Sequence, residues 1–179
     1  MSFIEAMTAA AARAPDAPLT VASDMRPCTT TLGEVVAAGR RMGTRMTAAG
    51  VGSGDIVGCM IPNWREWLVV AVAAAQSGAV MLPIVTIYGA KELGFILRQS
   101  GARWLFTPDR FRHVEYDRLV ADCGDLPALE RHVATGPDFD ALEADGPIAD
   151  PVPIDPGALA LLVYTSGTTA DPKGVMHSA

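Results

Sequence analysis

The chain has 179 residues, enough for one domain with a substantial core and too few for two ordinary domains. Its formal net charge is −6 and no basic stripe runs through the sequence, so we do not expect it to bind nucleic acid. Half of the residues are hydrophobic and the mean hydropathy is +0.25, which fits either a tight α/β core or a piece of a larger protein whose remainder covers part of its surface.

The N-terminal residues predict a helix over 3–13, which ends before Pro15. Glu5 and the absence of an early basic residue argue against a secretory signal. A strand over 18–23 follows.

Thr31 begins the second predicted helix, which runs to about Ala49. Glu34 stands three residues after Thr31, and this is the spacing of a capping box. One face of the helix is apolar, as expected for a helix that packs on a core. The apolar residues of that face are Leu32, Val35, Val36, Met42 and Met46.

A short apolar strand over 55–61 comes next and ends at a proline. Asn63 is the predicted N-cap of a helix over 64–76. That helix is apolar nearly all round, so we expect it to be buried on more than one side, with Trp64 and Trp67 in the core.

The apolar tract over 67–85 approaches the length of a membrane span. It contains Gln76 and Pro83, however, so a buried helix followed by a buried strand explains it better. The strand covers 79–85, and Pro83 indicates the edge of the sheet or the end of the strand.

Helices and strands continue to alternate in the second half of the chain. The predicted elements are a helix over 89–101, a strand over 103–108, a helix over 113–121, a strand over 130–134, a loop over 144–157 and a strand over 158–166. The pattern is weakest over 110–157. Near-continuous apolar strands alternating with helices predict an α/β fold, with a mostly parallel sheet flanked by helices.

The three cysteines are Cys28, Cys59 and Cys123. Their number is odd and no two form a C-x-x-C pair. We therefore expect buried free thiols in a reducing cytoplasm.

Hydroxyl side chains crowd the loop directly after the last predicted strand. They belong to Thr165, Ser166, Thr168 and Thr169, with Gly167 between them. Lys173 follows and supplies a compact positive charge. A loop of small residues after a buried strand lets backbone amides surround an anion, so it suits a polyphosphate; a plain solvent-exposed turn is the alternative. A proline precedes the lysine, which excludes the Walker A loop, where glycine stands in that place.

The segment "YTSGTTADPKGV", residues 164–175, resembles the signature loop of the adenylate-forming superfamily. That group includes acyl-CoA synthetases, luciferase-like enzymes and the adenylation domains of peptide synthetases. The usual form of the loop is Y-T-S-G-T-T-G-x-P-K-G-V, and ten of its eleven defined positions agree. T-x-x-E, G-V-x-x-G-D and P-N-x-x-E-W segments also occur in the family's order. The resemblance implies the N-terminal part of the large AMP-binding domain, most like that of an acyl-CoA synthetase.

Such enzymes join a carboxylate to the α-phosphate of ATP, release pyrophosphate, and then transfer the acyl group to the thiol of coenzyme A. The resemblance implies that the loop holds the β- and γ-phosphates, that Lys173 neutralises them, and that Mg²⁺ bridges them with Thr165 as a candidate ligand. The phosphate-binding residues that it implies are Thr165, Ser166, Gly167, Thr168, Thr169 and Lys173. A carboxylic acid, ATP, Mg²⁺ and coenzyme A are the implied ligands, and fatty-acid metabolism is the expected setting.

The sequence also departs from the family. Ala170 stands where glycine is usual, and a positive φ there would cost an alanine on the order of 1 kcal/mol. A second histidine often follows His177 in the family but is replaced here by Ala179, and we expect His177 to be a loop residue without a catalytic role. The family's adenine-, ribose- and Mg-binding segments and its C-terminal domain do not occur within 1–179. We therefore expect one incomplete domain without a complete catalytic set.

Three alternatives remain open. The chain could be an adenylation domain of another branch, such as a peptide synthetase or a luciferase-like enzyme. It could be a catalytically incomplete binding or interaction module that self-associates through surface a remainder would cover. It could also be a flavodoxin-like binding domain with a coincidental loop.

Overall fold

The computed structural model describes residues 2–165 and 173–178. Strands and helices alternate along much of this length. The strands are β1 (Pro18–Val21), β2 (Cys28–Thr31), β3 (Ile56–Cys59), β4 (Val80–Pro83), β5 (Trp104–Thr107), β6 (Arg110–Phe111), β7 (Val114–Glu115), β8 (Arg131–Ala134), β9 (Leu159–Thr165) and β10 (Lys173–Ser178). The helices are α1 (Phe3–Arg13), α2 (Leu32–Ala48), α3 (Arg65–Gln76), α4 (Ala90–Ser100), α5 (Tyr116–Ala121) and α6 (Pro137–Glu143).

A six-stranded sheet in the order β10-β9-β4-β3-β5-β8 forms the centre of the fold. The strands from β9 to β8 run parallel to their neighbours, and β10 runs antiparallel to β9. The pairs β1-β2 and β6-β7 form two small antiparallel ribbons outside this sheet. The prediction of an α/β fold with a mostly parallel sheet is confirmed.

Helices cover both faces of the sheet, because successive strand residues point to opposite sides. In β4, Met81 packs with α2, α3 and α6, whereas its neighbours Val80 and Leu82 pack with α4 and α5. In β5, Phe106 lies on the first side and Leu105 on the second, and both are fully buried. Both faces of these strands are therefore core, which explains their near-continuous apolar sequences.

The capping box predicted at the start of α2 is present. The Thr31 hydroxyl accepts a hydrogen bond from the Glu34 backbone N–H at 3.2 Å, and the Glu34 carboxylate accepts one from the Thr31 N–H at 2.9 Å. The Thr30 hydroxyl donates to the same carboxylate at 2.7 Å and, as the largest influence, lowers the pKa of Glu34. Of the five residues predicted for the apolar face, four are buried and Leu32 is half-buried.

Helices α2 and α3 cross at a very short distance, which two glycines of α2 permit. A Cβ atom placed on Gly39 would lie 2.5 Å from Val72 Cβ. A Cβ atom placed on Gly43 would lie 2.6 Å from both the Ala73 carbonyl oxygen and Gln76 Cβ. Contacts this short are incompatible with any side chain, so the glycines set the separation of the two helices.

At the amino ends of the parallel strands, one arginine connects the starts of three strands. Arg103, just before β5, contacts Asp55 at 2.6 Å and Glu130 at 2.7 Å, residues that precede β3 and β8. It also donates to the Gly50 carbonyl at 3.0 Å. The pKa of Glu130 is lowered chiefly by its hydrogen bond from Arg103.

The structure corrects the prediction that Asn63 caps α3. Trp64 occupies the N-cap position, and no side chain bonds the helix N-terminus there. Trp64 is held in place by burial, since it is 3% exposed, and its Nε1 donates to the Ser23 hydroxyl at 3.0 Å. Trp64 is thus a core residue as expected, and Trp67 packs against the same core. Pro83 marks the end of β4 and not the edge of the sheet, because β4 lies between β3 and β9.

Several short elements were not predicted: β2, the β6-β7 hairpin, α6 and β10. His177, expected in a loop, lies in β10 instead. Helix α6 is stabilised by burial of Phe139 and Leu142, which are 0% and 6% exposed. Every described residue of β10 is exposed. Because neither face of β10 is buried, its sequence lacks the alternation of apolar and polar residues that predicts a strand.

All three cysteines are free thiols, as expected. Cys59 and Cys123 are buried and Cys28 is half-buried. Burial raises the pKa of the Cys59 thiol to about 12, which keeps it protonated and unreactive. Within 2–165 and 173–178, the helices fall short of the length and apolarity that crossing a bilayer requires.

Candidate phosphate-binding edge and adjoining clefts

The predicted phosphate loop leaves the sheet from the carboxyl end of β9. Thr165 is the last residue of β9 and Lys173 is the first of β10, and the two stand directly opposite each other in the antiparallel register. Both residues are exposed. The structure therefore brings the two described members of the predicted site together. Ser166, Gly167, Thr168 and Thr169, as well as Ala170, lie outside the described residues.

The lysine–glycine order has a packing reason. Gly174 pairs with Tyr164, and a Cβ atom added to Gly174 would lie 3.0 Å from Leu162 Cδ1 and 3.4 Å from the Tyr164 ring. A larger residue after Lys173 would therefore make the Leu162 side chain shift by a few tenths of an ångström. Tyr164 is partly buried, and burial raises the pKa of its hydroxyl.

An apolar cavity of about 420 Å³ adjoins the carboxyl end of β9. Val163 and Tyr164 of β9 form one wall, and Trp67 of α3 also lines the cavity. The segment 83–88, which follows β4 in the middle of the sheet, forms another wall. Carboxyl ends of parallel strands are where open α/β sheets place ligands, and this cavity lies at that edge.

A second and larger cleft, of about 880 Å³, lies at the same edge on the side of β3 and β5. It shares residues 62–63 and 86–88 with the smaller cavity. Its other walls come from the loop 22–25 and from the β6-β7 hairpin. Ile87, on the shared wall, is 83% exposed. This cleft was not predicted from the sequence, because its walls come from separate segments that only the fold brings together.

The described residues contain no cluster of three or more His, Cys, Asp or Glu side chains able to hold a metal ion. The Thr165 hydroxyl at the end of β9 is a hard oxygen donor of the kind Mg²⁺ accepts. Mg²⁺ commonly keeps several waters and binds through substrate phosphates with few protein ligands. The donor set at the β9-β10 end therefore fits a magnesium ion that arrives with a polyphosphate.

Comparison with known proteins identifies the family to which the chain belongs. The sequence model of the "AMP-binding enzyme" family matches residues 7–179, so the chain belongs to that family. The sulfoacetate–CoA ligase of Cupriavidus necator is 34% identical over 172 residues, which cover 93% of this chain and 32% of that protein. Phosphinothricin tripeptide synthetase PhsC of Streptomyces viridochromogenes is 34% identical over 148 residues, covering 80% of this chain and 12% of that one.

Among solved structures, the N-terminal domain of FACL13 from Mycobacterium tuberculosis superimposes with a TM-score of 0.84 at 26% identity. The match covers 99% of this chain and 44% of that one. The fold is thus that of the N-terminal part of adenylate-forming enzymes, as the signature loop implied. The chain spans about a third of the length of the sulfoacetate–CoA ligase.

Proposed function

We propose that this chain is the phosphate-binding N-terminal part of an ATP-dependent carboxylic acid–CoA ligase. The parent reaction joins a carboxylate to AMP with release of pyrophosphate and then passes the acyl group to the thiol of coenzyme A. The observation that carries the proposal is the register of β9 and β10, which holds Thr165 opposite Lys173 at the carboxyl edge of the sheet. Membership of the AMP-binding family and similarity to CoA ligases support it.

The chain's own contribution is to hold the leaving pyrophosphate. Lys173 is exposed at the start of β10 and places its charge beside the strand end where the anion would sit. The hydroxyl and amide donors of Ser166, Gly167, Thr168 and Thr169 would surround the β- and γ-phosphates. A cation and donors fixed before the reaction stabilise charge that develops on the leaving group. Mg²⁺, carried by the phosphates and contacted by Thr165, would neutralise part of that charge.

Lysine substitutions test the site sharply, because the chain has only two lysines, Lys91 and Lys173. Lys173→Ala should weaken ATP binding by roughly tenfold or more, since it removes a charge-assisted contact. Lys91→Ala, at an exposed position of α4, is the matched control and should bind ATP like the unchanged chain. Isothermal titration with MgATP measures both. Equal affinities for the two variants would refute the phosphate site.

Protection from acylation gives a second readout that does not depend on catalysis. Bound ATP should shield Lys173 from an amine-reactive reagent and leave Lys91 reactive, as read by peptide mass spectrometry. Labelling of Lys173 that is unchanged by saturating ATP would contradict the proposal.

We further propose that the 179 residues alone do not complete the reaction, because they match only a third of the CoA ligase they resemble. The isolated chain should show no acid-dependent exchange of pyrophosphate into ATP. Robust exchange by the pure chain would overturn this.

A peptide-synthetase adenylation domain is the second candidate, favoured by the 34% identity to PhsC. The two candidates differ in the thiol that accepts the acyl group, coenzyme A in one and the phosphopantetheine of a carrier protein in the other. A full-length protein that contains this segment should transfer its acyl group to free coenzyme A if it is a ligase. Transfer to a carrier protein alone would establish the second candidate.

We assign the protein to the cytoplasm and to the metabolism of fatty acids or related acids. Two buried free thiols are consistent with a reducing compartment. The isolated chain should also self-associate through its exposed apolar residues, among which Ile87 and Met176 are 83% and 72% exposed. Light scattering that showed a clean monomer at high concentration would contradict the last point.

A further inference from the structure

The segment 144–157, which we call the strap, links α6 to β9 and contains neither helix nor strand. The backbone groups of such a segment need partners from elsewhere in the fold. At Ala149, side chains of α2 and α3 supply them. The Ala149 N–H donates to the Thr44 hydroxyl at 3.1 Å, and its carbonyl accepts a hydrogen bond from Gln76 Nε2 at 2.9 Å. These contacts dock the strap on the two helices.

Gln76 holds the strap from within the core. It is the last residue of α3 and is 1% exposed. Its Oε1 accepts a hydrogen bond from Arg40 Nε at 3.1 Å, and its backbone carbonyl accepts one from the Val152 N–H at 3.0 Å. A buried amide is costly unless its donor and its acceptor are both used, and here both are used. The contact between Gln76 and the strap therefore fixes the register of the strap on α3.

The strap reaches β9 by passing over the turn that leads into β4. Val152 and Ile154 pack on Gly78, since a Cβ atom added to Gly78 would lie 3.0 Å from Val152 Cγ1 and 3.2 Å from Ile154 Cγ2. Gly78 stands two residues before β4, and the strap ends two residues before β9. Strand β9 then pairs with β4 at Leu161 and Met81. The docked strap therefore helps to fix where β9 lies beside β4.

Strand β9 carries the predicted phosphate site at its far end. Thr165 is its last residue and stands opposite Lys173 of β10. Packed side chains, hydrogen bonds and rigid elements can couple two separated sites. Gln76, the strap and the seven residues of β9 form a continuous connection of this kind.

We propose that Gln76 is a positioning residue for the phosphate site, because it docks the strap and the docked strap fixes the start of β9. When the strap is undocked, the start of β9 is free to move, and Thr165 and Lys173 no longer have a fixed position for the anion. A polyphosphate then binds the docked state in preference, so docking and anion binding strengthen each other by the same factor. This inference rests on the proposed phosphate site and adds a coupling along β9.

Cleavage by endoproteinase Asp-N measures docking in the full 179-residue chain without any catalysis by the chain. The protease cuts before aspartate, and the bond between Ala149 and Asp150 is exposed but has its carbonyl bonded to Gln76. Cleavage there requires an open segment, so its rate reports the undocked strap. MgATP at about ten times its dissociation constant should slow this cleavage about tenfold. Cleavage before Asp125, in the exposed loop after α5, is the internal reference for protease activity.

Two variants weaken docking directly. Gln76→Met has a similar helix propensity but removes both hydrogen bonds of the side chain, so cleavage before Asp150 should accelerate about fivefold or more. Thr44→Val removes the contact to the Ala149 N–H from a half-buried position and should act in the same direction, which preserves the test if Gln76→Met does not fold.

A control variant separates positioning from general stability. Val133 is 0% exposed and lies in β8, at the edge of the sheet furthest from β10. Val133→Ala destabilises the whole fold by opening a cavity but leaves the strap contacts intact. Its strap should be cleaved at the rate of the unchanged chain. Protection by MgATP should persist in Lys91→Ala and disappear in Lys173→Ala.

Any of four results would overturn the inference. They are cleavage before Asp150 that MgATP does not slow, equal protection in Lys173→Ala and the unchanged chain, unchanged cleavage in both docking variants, and a Val133→Ala chain cleaved as fast as Gln76→Met. Failure of the phosphate site itself would appear separately, as equal MgATP affinities of the Lys173→Ala and Lys91→Ala chains. If those affinities differ but MgATP does not protect the strap, the phosphate site stands and the coupling is wrong.

Discussion

Substitution of Gly43 by alanine tests how tightly α2 and α3 are packed. At an exposed helix position, replacing glycine with alanine stabilises by about 1 kcal/mol. Here the new Cβ would lie 2.6 Å from the Ala73 carbonyl oxygen and 2.6 Å from Gln76 Cβ. The oxygen belongs to the backbone of α3, so the contact is relieved only if one helix moves.

The cost of that movement exceeds the gain in helix propensity, so Gly43→Ala should destabilise the protein. Overpacking a core costs about 1–3 kcal/mol. Gln76 also accepts a hydrogen bond from Arg40 at 3.1 Å and donates one to the Ala149 carbonyl at 2.9 Å, and each such bond contributes about 1 kcal/mol. After the gain in helix propensity is subtracted, Gly43→Ala should lower the free energy of unfolding by about 2 kcal/mol.

Thermal unfolding measures the effect. For a domain of this size, 2 kcal/mol corresponds to a fall in Tm of about 4–8 °C. Gly52→Ala is the comparison, because a Cβ atom added to Gly52 would meet no atom within 4 Å. It should change Tm much less. A rise in Tm for Gly43→Ala, as for an exposed helical glycine, would refute the packing argument.

Two titrating groups give further predictions. The pKa of Glu130 is lowered in the folded protein by Arg103, so this pair stabilises the fold above the ordinary glutamate pKa and loses that effect as the pH falls through the lowered value. Arg103→Met should therefore reduce the acid-dependent loss of stability in denaturant titrations, and an unchanged slope would contradict the assignment. Burial lowers the pKa of His132, partly opposed by Asp117, so stability should fall as the pH drops from the ordinary histidine value to the lowered one. The Thr107 hydroxyl lies 2.8 Å from His132 Nε2, and His132→Gln keeps a hydrogen-bond donor for it. This variant should show a weaker dependence of stability on pH in that range. An unchanged pH dependence in the variant would exclude His132 as its source.

Local signals in the sequence predicted the elements that carry strong apolar patterns or caps. The start of α2 follows from Thr31 and Glu34 alone, because a capping box is a contact between neighbours in sequence. Strands β3, β5 and β9 follow from runs of apolar residues, although β9 is mostly half-buried while β3 and β5 are buried. Asn63 failed as a cap because tertiary anchoring of Trp64 fixed the start of α3 one residue later.

Elements without a local signal were missed for physical reasons. Helix α6 has seven residues, too few to show a helical period, and its carbonyls are held from a distance by Arg45. Strand β10 is exposed on both faces and forms because β9 pairs with it. The family's signature loop was recognisable from residue order, but the pairing of Thr165 with Lys173 is visible only in the register of the two strands.

The attachment of β9 has a consequence for local unfolding. Six residue pairs join β9 to β10, but a single parallel pair, Met81 with Leu161, joins β9 to β4. The β9-β10 ribbon can therefore open as one cooperative unit, at a lower free energy than the β4-β3-β5 centre. Backbone amides of β9 should then exchange with deuterium together with those of β10 and ahead of those in β3. An anion held between Thr165 and Lys173 would bind the closed ribbon and slow this exchange in proportion to its concentration.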